Sequence, residues 1–352
     1  MQKKILVIDD SALMRRKLTS IIESIEDFEI RTARDGQDGL EQAKAWRPDL
    51  VTLDINMPVM DGITCLSLLM NYAPCPVIMV SSLTETGALA TFEALELGAI
   101  DYVAKPGGTV SVNIDDVAEE LTAKIKAALN SNALTKRASR LARSPSKQKT
   151  VKAKFSSKTS SSNIVVVGVS TGGPSTLETL LTALPSNFNA PVLVAQHMPA
   201  RFTQVFSERL NKICDLEITH VDRPQALNPG NVLIARGNAD LIVAKRGGKI
   251  MAVSVPENED LWHPSVERLV ASSLEHFPAD NIIGVMLTGM GYDGAETMAK
   301  VKMDGGRTIA ESEETAVVYG MPRELVNRDG ATKVLPCDEI AQQLVDWVGV
   351  SE

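Results

Sequence analysis

A stretch of basic residues and serines, residues 131–162, divides the chain into two parts. It contains nine lysines or arginines, nine serines and no acidic residue, but only four large apolar side chains. So few apolar side chains cannot bury enough surface to offset the conformational entropy that is lost on ordering. We therefore expect a flexible, charge-extended linker, so that each part folds on its own. The alternative is a basic patch that binds an acidic neighbour.

Short apolar runs alternate with amphipathic stretches on both sides of this linker. Such runs are typical of parallel strands that are buried on both faces. In the first part, Met14, Leu18, Ile21 and Ile22 follow at helical spacing and share one face. The predicted strands are Ile5–Ile8, Phe28–Ala33, Leu50–Leu53, Val77–Val80, Tyr102–Ala104, Ile164–Val167, Val192–Ala195, Val232–Ala235, Ile250–Val253, Ile282–Leu287 and Thr308–Ala310.

The alternation of strands and helices predicts an α/β fold class, with two doubly wound parallel-sheet domains joined by the linker. We place the first domain at residues 1–125, the linker at 126–162 and the second domain at 163–352. The predicted helices of these domains include Val117–Leu129, Phe202–Leu210, Ser265–His276 and Asp338–Trp347.

Charge and hydropathy argue against several classes of protein. The net charge is −8, and because the linker is basic the two domains are more acidic still. An acidic surface repels phosphate backbones, so we expect no nucleic-acid partner. No apolar run approaches the ~18 residues of a membrane-spanning helix, and the N-terminal run is too short for a secretion signal. We therefore expect a cytoplasmic protein that is at most peripheral to a membrane.

The cysteines are scattered along the chain and form no CxxC pair. This spacing argues against a disulfide framework and against a structural zinc site. We expect buried, reduced thiols at Cys65, Cys75, Cys214 and Cys337.

Polar side chains follow the predicted strands of the first domain. Asp9 and Asp10 follow the first strand, Asp54 the third, Ser81 the fourth and Lys105 the fifth. Because ligands bind at the carboxyl ends of parallel strands, these groups converge on one edge of the sheet. Clustered carboxylates repel each other unless a cation holds them, and oxygen ligands favour Mg²⁺. A carboxylate beside Mg²⁺ can accept a phosphoryl group, which the lysine and the hydroxyl would then bind.

This constellation resembles the receiver domain of bacterial response regulators, which is flavodoxin-like. The motifs VIDDSALMR, DLVTLDINMPVMDG and DYVAKP carry the resemblance. It implies that Asp54 is the phosphoacceptor and that a histidine kinase is the phosphodonor. It implies a Mg²⁺ site formed by Asp9, Asp10, Asp54 and the backbone of Asn56. The switch positions of the family correspond to Ser81, Tyr102 and Lys105.

A glycine-rich turn follows the first strand of the second domain. The sequence Gly168–Pro174 begins with a GxSxG pattern, whose glycines allow a tight strand-to-helix turn that exposes Ser170. A phosphate-binding loop is disfavoured, because no GK[ST] follows and GxGxxG is absent. A purely structural turn remains the alternative.

A reactive serine needs a base, and the chain has four histidines. His197 follows a buried strand at its carboxyl end, so it is our first candidate, with His263 as the alternative. His220 lacks a partner motif, and His276 lies late in a helix. Asp293 follows a third strand in the glycine-rich sequence LTGMGYDG and could orient the base. The chain order Ser, His, Asp differs from that of the α/β-hydrolases.

The second domain resembles the catalytic domain of the CheB family of chemotaxis methylesterases. The sequences GVSTGGP, AQHMP, FTQVFSERLN, LTGMGYDGA and GRTIAESEETAVVYGMPRE carry this resemblance. It implies a triad of Ser170, His197 and Asp293, with Thr171 and the backbone near Met290 lining the oxyanion region and no cofactor in the hydrolase site. It also implies methyl-ester hydrolysis and glutamine deamidation on methyl-accepting chemoreceptors, by a monomer. The departures from the family pattern are Arg236, Asp240 and His263.

Two other functions stay open from sequence alone. One is a paralogue with the same chemistry in a non-flagellar chemosensory array. The other is a non-enzymatic response regulator whose output domain binds a partner or DNA. A DNA-binding output would predict a basic recognition helix, whereas the second domain is acidic.

Overall fold

The computed structural model describes residues 2–82, 84–105, 114–130 and 162–350. The chain divides into two compact units, Met1–Arg137 and Ala138–Glu352. Each unit is an α/β domain with a parallel sheet, which confirms the predicted fold class. The predicted linker lies almost entirely outside the described residues, so its flexibility, the alternative of a basic patch and the exact domain bounds stay predictions.

The first unit is a five-stranded parallel sheet in the order β2-β1-β3-β4-β5, covered by helices. All five predicted strands are present. β2 lies on one side of β1, and the strands that follow it in the chain lie on the other side, beginning with β3. The elements are β1 Lys4–Ile8, α1 Ala12–Glu23, β2 Glu29–Ala33, α2 Gly36–Trp46, β3 Leu50–Asp54, α3 Gly62–Tyr72, β4 Val77–Ser81, α4 Glu85–Leu97, β5 Asp101–Ala104 and α5 Ile114–Asn130.

Polar residues begin four helices of this unit. The side chains of Ser11, Asp35, Asp61 and Thr84 each accept a backbone N–H from the first turn of the helix that follows. Such caps satisfy donors that the helix itself leaves unpaired. They fix where each helix starts and therefore where each strand-end loop closes.

The second unit is built on a seven-stranded parallel sheet in the order β15-β14-β13-β6-β7-β10-β8. A large core of fully buried side chains lies on one face of this sheet, and among its residues are Val166, Leu193 and Met286. The elements are β6 Ile164–Val169, α6 Gly173–Ala183, β7 Val192–Gln196, α7 Ala200–Ile213, β8 Glu217–Val221, β9 Gln225–Ala226, β10 Asn231–Ala235, β11 Asp240–Arg246, β12 Lys249–Val255, α8 Val266–His276, the 3₁₀ turn Ala279–Asn281, β13 Ile282–Met286, α9 Ala295–Met303, β14 Arg307–Glu311, α10 Met321–Asn327, β15 Lys333–Leu335 and α11 Cys337–Val348.

One predicted strand lies in a different sheet from the one expected. Ile250–Val253 belongs to β12, which pairs antiparallel with β11 and β9 in a separate three-stranded sheet. The β11–β12 hairpin turns at Gly247 and Gly248, which both have positive φ, as the tight turns of hairpins require. This hairpin packs on α8, the helix that begins at Val266.

The sequence prediction of buried, reduced thiols is confirmed by the structure. All four cysteines are buried and none forms a disulfide. Burial raises the pKa of the Cys65 thiol to about 12, and it does the same for Cys75. Within the described ranges, no helix is both long enough and apolar enough to cross a bilayer.

Candidate active site

The carboxyl ends of three neighbouring strands bring Ser170, His197 and Asp293 together. In the sheet, β6 lies between β13 and β7. Ser170 directly follows β6, His197 directly follows β7, and Asp293 lies in the loop after β13. The chain leaves β6 toward β7 on one side and later returns to its other side through β13. Such a switch point opens a crevice above the strands, where α/β proteins bind their ligands.

The turn that carries Ser170 depends on glycines that lie close to their neighbours. Gly172 adopts the left-handed conformation at φ +74°, and Gly173 donates its N–H to the Ser170 carbonyl over 2.8 Å. A Cβ on Gly173 would lie 2.0 Å from the Gln196 Oε1. On the opposite side, a Cβ on Gly289 would lie 2.8 Å from the Ser170 Cβ. The predicted close backbone approach is therefore present on both sides of the serine.

His197 is oriented by Asp293. Its Nε2 lies 2.8 Å from the Asp293 Oδ2. Its Nδ1 is buried and has no hydrogen-bond partner among the described residues. When Nε2 carries the proton that Asp293 accepts, Nδ1 is the basic nitrogen. No described contact joins this nitrogen to the Ser170 Oγ, but catalytic hydrogen bonds are often long without substrate.

Asp293 sits at the N-terminus of α8. Its carboxylate accepts the backbone N–H groups of Val266 and Glu267 and the hydroxyl of Ser265, as well as its bond to His197. Burial raises the pKa of Asp293, but the bond to His197 and these N–H groups outweigh burial and hold the pKa below its usual value. The carboxylate is therefore kept ionised beside the imidazole.

Aromatic side chains that sequence analysis did not single out lie against His197. The Trp262 ring is parallel to the imidazole within 3°, with the two centroids 6.2 Å apart. Tyr292 meets Trp262 edge-on at 4.8 Å. Gly291 allows this packing, since a Cβ there would lie 2.7 Å from the indole. Because the indole comes from a distant part of the chain, no local sequence signal indicated it.

The predicted oxyanion region has backbone donors available. Among the described residues, neither the Thr171 N–H nor the Met290 N–H donates to a protein acceptor. Thr171 is buried and Met290 is partly exposed. The segment before Met290 is held in place by Thr288, whose hydroxyl donates to the Thr171 carbonyl over 2.9 Å and whose N–H donates to the buried Glu311 carboxylate over 2.8 Å.

Two of the remaining three histidines, His220 and His263, have partners other than Asp293. His220 lies within β8, bonds to the Thr203 hydroxyl at 3.1 Å and has its pKa lowered by burial. His276 is the last residue of α8. His263 binds Asp240 and the Asp260 carbonyl. Two of the departures from the family pattern, Asp240 and His263, thus contact each other.

The third departure, Arg236, lines a separate open cleft of about 560 Å³. His220 and Asp222 share this cleft with it.

The first unit gathers its own cluster of charged groups at the carboxyl ends of β1 and β3. Oxygen atoms of Asp9, Asp10 and Asp54 lie within 4.8 Å of one another. The Lys105 Nζ lies 2.6 Å from an Asp54 oxygen and 3.1 Å from an Asp9 oxygen. The Asn56 N–H donates to the other Asp54 oxygen over 3.3 Å. One lysine leaves this three-carboxylate cluster with net negative charge, and the set of oxygen donors fits Mg²⁺.

Two of the three predicted switch residues, Ser81 and Tyr102, are buried. The Ser81 hydroxyl donates to the Gly87 carbonyl of α4 over 3.1 Å. The Tyr102 ring lies under the Lys124 ammonium, 5.0 Å from its centroid. Asp54, Ser81 and Lys105 therefore lie at the carboxyl ends of their strands, as do the two aspartates after β1, whereas Tyr102 lies within β5.

Comparison with known proteins agrees with this division. Residues 5–112 match the family model of the response regulator receiver domain, and residues 165–344 match that of the CheB methylesterase. The two matches define a response regulator with an enzyme-type output domain. The chain belongs to the CheB methylesterase family.

Relatives with the same two-part organisation match along nearly their whole length. A protein-glutamate methylesterase/protein-glutamine glutaminase of Caldanaerobacter subterraneus subsp. tengcongensis is 49% identical, over 99% of this chain and 98% of its own. One from Rhodopseudomonas palustris is 46% identical, over 98% of each chain. The crystal structure of the Thermotoga maritima CheB methylesterase catalytic domain is 37% identical with a TM-score of 0.51, covering 53% of this chain and 98% of that one.

Proposed function

We propose that this chain is a phosphorylation-activated protein-glutamate methylesterase and protein-glutamine glutaminase that acts on methyl-accepting chemoreceptors. The observation that carries the proposal is the His197–Asp293 hydrogen bond beside Ser170, at the ends of three adjacent strands. We further propose that the protein works in the cytoplasm as a monomer, takes its phosphoryl group from a histidine kinase, and binds no nucleic acid.

The proposed reaction follows from the atoms that face the crevice. The Ser170 Oγ attacks the δ-carbonyl carbon of a glutamate methyl ester, while the Nδ1 of His197 takes the hydroxyl proton. The N–H groups of Thr171 and Met290 bind the resulting oxyanion. His197 returns the proton to the departing methoxide, or to the departing side-chain nitrogen when the substrate is a glutamine amide, so that methanol or ammonia leaves. Water, deprotonated by His197, then hydrolyses the acyl-enzyme and restores Ser170.

For the receiver, we propose that Asp54 accepts the phosphoryl group. Asp9, Asp10, Asp54 and the backbone of Asn56 would hold Mg²⁺, which when bound neutralises charge on the phosphoryl oxygens. Lys105 already contacts Asp54 and is placed to pair with a phosphoryl oxygen. The Ser81 hydroxyl would leave the Gly87 carbonyl and donate to another phosphoryl oxygen. Tyr102 would shift its position in response.

The test is methanol release from methylated receptor membranes. We predict that Ser170→Ala lowers the rate by about 10⁶, the loss typical of a missing nucleophile. Ser175→Ala is the matched control: it removes a hydroxyl in the first turn of α6, which donates to the Gly172 carbonyl, and should retain near-full activity. If Ser170→Ala kept a tenth of the rate, Ser170 would not be the nucleophile. If the unsubstituted protein released no methanol, the output domain would be a binding module.

A further inference from the structure

The segment that carries Trp262 is tied down by two cations that share one buried carboxylate. This segment, residues 256–264, joins β12 to α8. Arg268 donates to the Pro256 carbonyl over 3.2 Å, and the His263 Nε2 lies 3.0 Å from the Asp260 carbonyl. Both side chains also bind Asp240 of β11, which is fully buried.

The hydrogen bonds of His263 require its protonated form. Its Nδ1 lies 2.9 Å from the Asp240 Oδ1, and its Nε2 faces the Asp260 carbonyl. Both partners are acceptors only, whereas a neutral imidazole has one donor and one acceptor. Loss of the proton would therefore set a nitrogen lone pair against either the carboxylate or the carbonyl.

The charges around His263 also favour the cation. Burial lowers the pKa of His263, but the hydrogen bond and charge of Asp240, the Asp260 carbonyl and the charge of Glu257 outweigh it and raise the pKa. The opposing charge is Arg268, which shares Asp240. Since the folded-state pKa is raised, the stabilising contact is present at low pH and is lost as the pH rises through that value.

The position of Trp262 next to His263 links this contact to the base. Asp293 fixes the position of the Nε2 atom of the His197 ring. A single hydrogen bond does not fix the plane of the ring, which can still rotate about that bond. The parallel indole of Trp262 fixes that plane, at a separation that is normal for offset stacking. Because both Nε2 and the ring plane are fixed, the lone pair of the buried His197 Nδ1 points in one direction.

We infer that protonated His263 is a positioning residue for His197: by binding Asp240 and the Asp260 carbonyl it holds residues 256–264 so that Trp262 stays stacked on the base. The placement of Trp262 follows from this chain's contacts alone. The effect on catalysis rests on the proposed esterase function.

The structural part is tested without measuring activity, by ¹⁹F NMR of the full chain labelled with 5-fluorotryptophan. The chain has three tryptophans, and Trp262→Phe identifies the Trp262 resonance by its loss. Between about pH 6 and about pH 9, which brackets a histidine pKa above ~6.5, this resonance should shift in the wild type. His263→Arg keeps a permanent cation and should abolish the shift. His263→Leu should show the high-pH resonance throughout.

Kinetics of methanol release test the catalytic part. Relative to His263→Arg, wild-type kcat should fall about tenfold between the same pH limits, while KM changes little, because orientation of the base acts on the chemical step. His276→Gln, at the other end of α8, is the matched control and should follow the wild-type profile. The inference would be overturned if the kcat of His263→Arg fell with pH as that of the wild type does. It would also be overturned if the Trp262 resonance of the wild type did not shift with pH. Absence of methanol release from every variant, with the Trp262 shift intact, would instead reject the esterase function.

Discussion

Gln196 connects the two turns that carry the serine and the histidine. It is the last residue of β7, and its buried Nε2 donates to the backbone carbonyls of Ser170 and His197, over 3.0 and 3.1 Å. The Ser170 carbonyl also accepts the Gly173 N–H, whereas loss of the Gln196 amide would remove the donor described for the His197 carbonyl, at a cost in desolvation. One amide therefore holds the spacing of both turns, and with it the approach of Ser170 to His197.

We predict that Gln196→Glu lowers kcat by about tenfold or more with KM within about twofold of the wild type, because a carboxylate of the same shape repels both carbonyls. Methanol release measured over a range of receptor concentrations separates the two constants. Gln343→Glu is the control: Gln343 is a half-buried residue of α11 whose amide oxygen accepts a hydrogen bond from Lys333, so activity should not change. A Gln196→Glu enzyme with wild-type kcat would show that the amide has no positioning role.

Residues that follow an apolar run directly could be located from sequence, whereas those that reach the site through packing could not. Ser170 and His197 directly follow buried strands, and glycines mark the loop of Asp293. Gln196 looks like an ordinary end of a strand, and its role depends on where two carbonyls point. Trp262 meets His197 only because the fold brings the segment between β12 and α8 against the residue that follows β7.

At the scale of elements, helix α8 and the β13 loop are joined through one side chain. The Asp293 carboxylate takes the N–H groups of Val266 and Glu267 that the first turn of α8 cannot pair internally. The partial positive charge of a helix N-terminus adds to this attraction. Asp293 thus contributes to the stability of the second unit as well as to the orientation of His197.

We predict that Asp293→Asn destabilises the second unit by about 1–3 kcal/mol at pH 7, because an amide NH₂ meets N–H donors. The pKa of Asp293 is lowered in the folded state, so its contribution is present above the unfolded-state pKa of ~3.9 and is lost as the pH falls through the lower folded value. The difference between variant and wild type should therefore shrink below about pH 4.

Urea unfolding followed by tryptophan fluorescence measures this difference. In a Trp46→Phe background the remaining tryptophans, Trp262 and Trp347, both belong to the second unit. Asp346→Asn, on the exposed face of α11, should match the wild type at every pH. A destabilisation by Asp293→Asn that stays constant down to about pH 3 would mean that the carboxylate charge is not its cause.

Elements of the parallel sheets were visible in the sequence because their strands are buried on both faces and are therefore apolar throughout. β11 and β12 were harder to place, since each is only partly buried and charged residues flank the turn between them, with Arg246 at the end of β11 and Lys249 at the start of β12. Gly247 and Gly248 between them are a hairpin signal in the sequence, and they would have indicated the antiparallel pairing.

At the scale of the whole molecule, each unit has its own core and its own constellation of reactive groups. Phosphorylation of one unit can change hydrolysis in the other only if a free-energy difference couples them. A tenfold activation corresponds to ~1.4 kcal/mol of differential stabilisation, and one or two charge-assisted hydrogen bonds can supply it. Lys105 and Ser81 are the groups placed to make such bonds, and Ser81 is already bonded to the first turn of α4.

We predict that Asp54→Asn abolishes activation by a small phosphodonor with Mg²⁺, whereas the wild-type full-length chain gains about tenfold in methanol release. The amide cannot form an acyl phosphate with the donor, and the substitution leaves the second unit untouched. Asp61→Asn is the matched control in the same loop. Asp61 caps α3 by accepting the Thr64 N–H over 2.8 Å, and asparagine caps equally well, so that variant should be activated like the wild type. Activation of Asp54→Asn to the wild-type level would place the phosphoacceptor elsewhere, while equal rates with and without phosphodonor in the wild type would show that the receiver does not control hydrolysis.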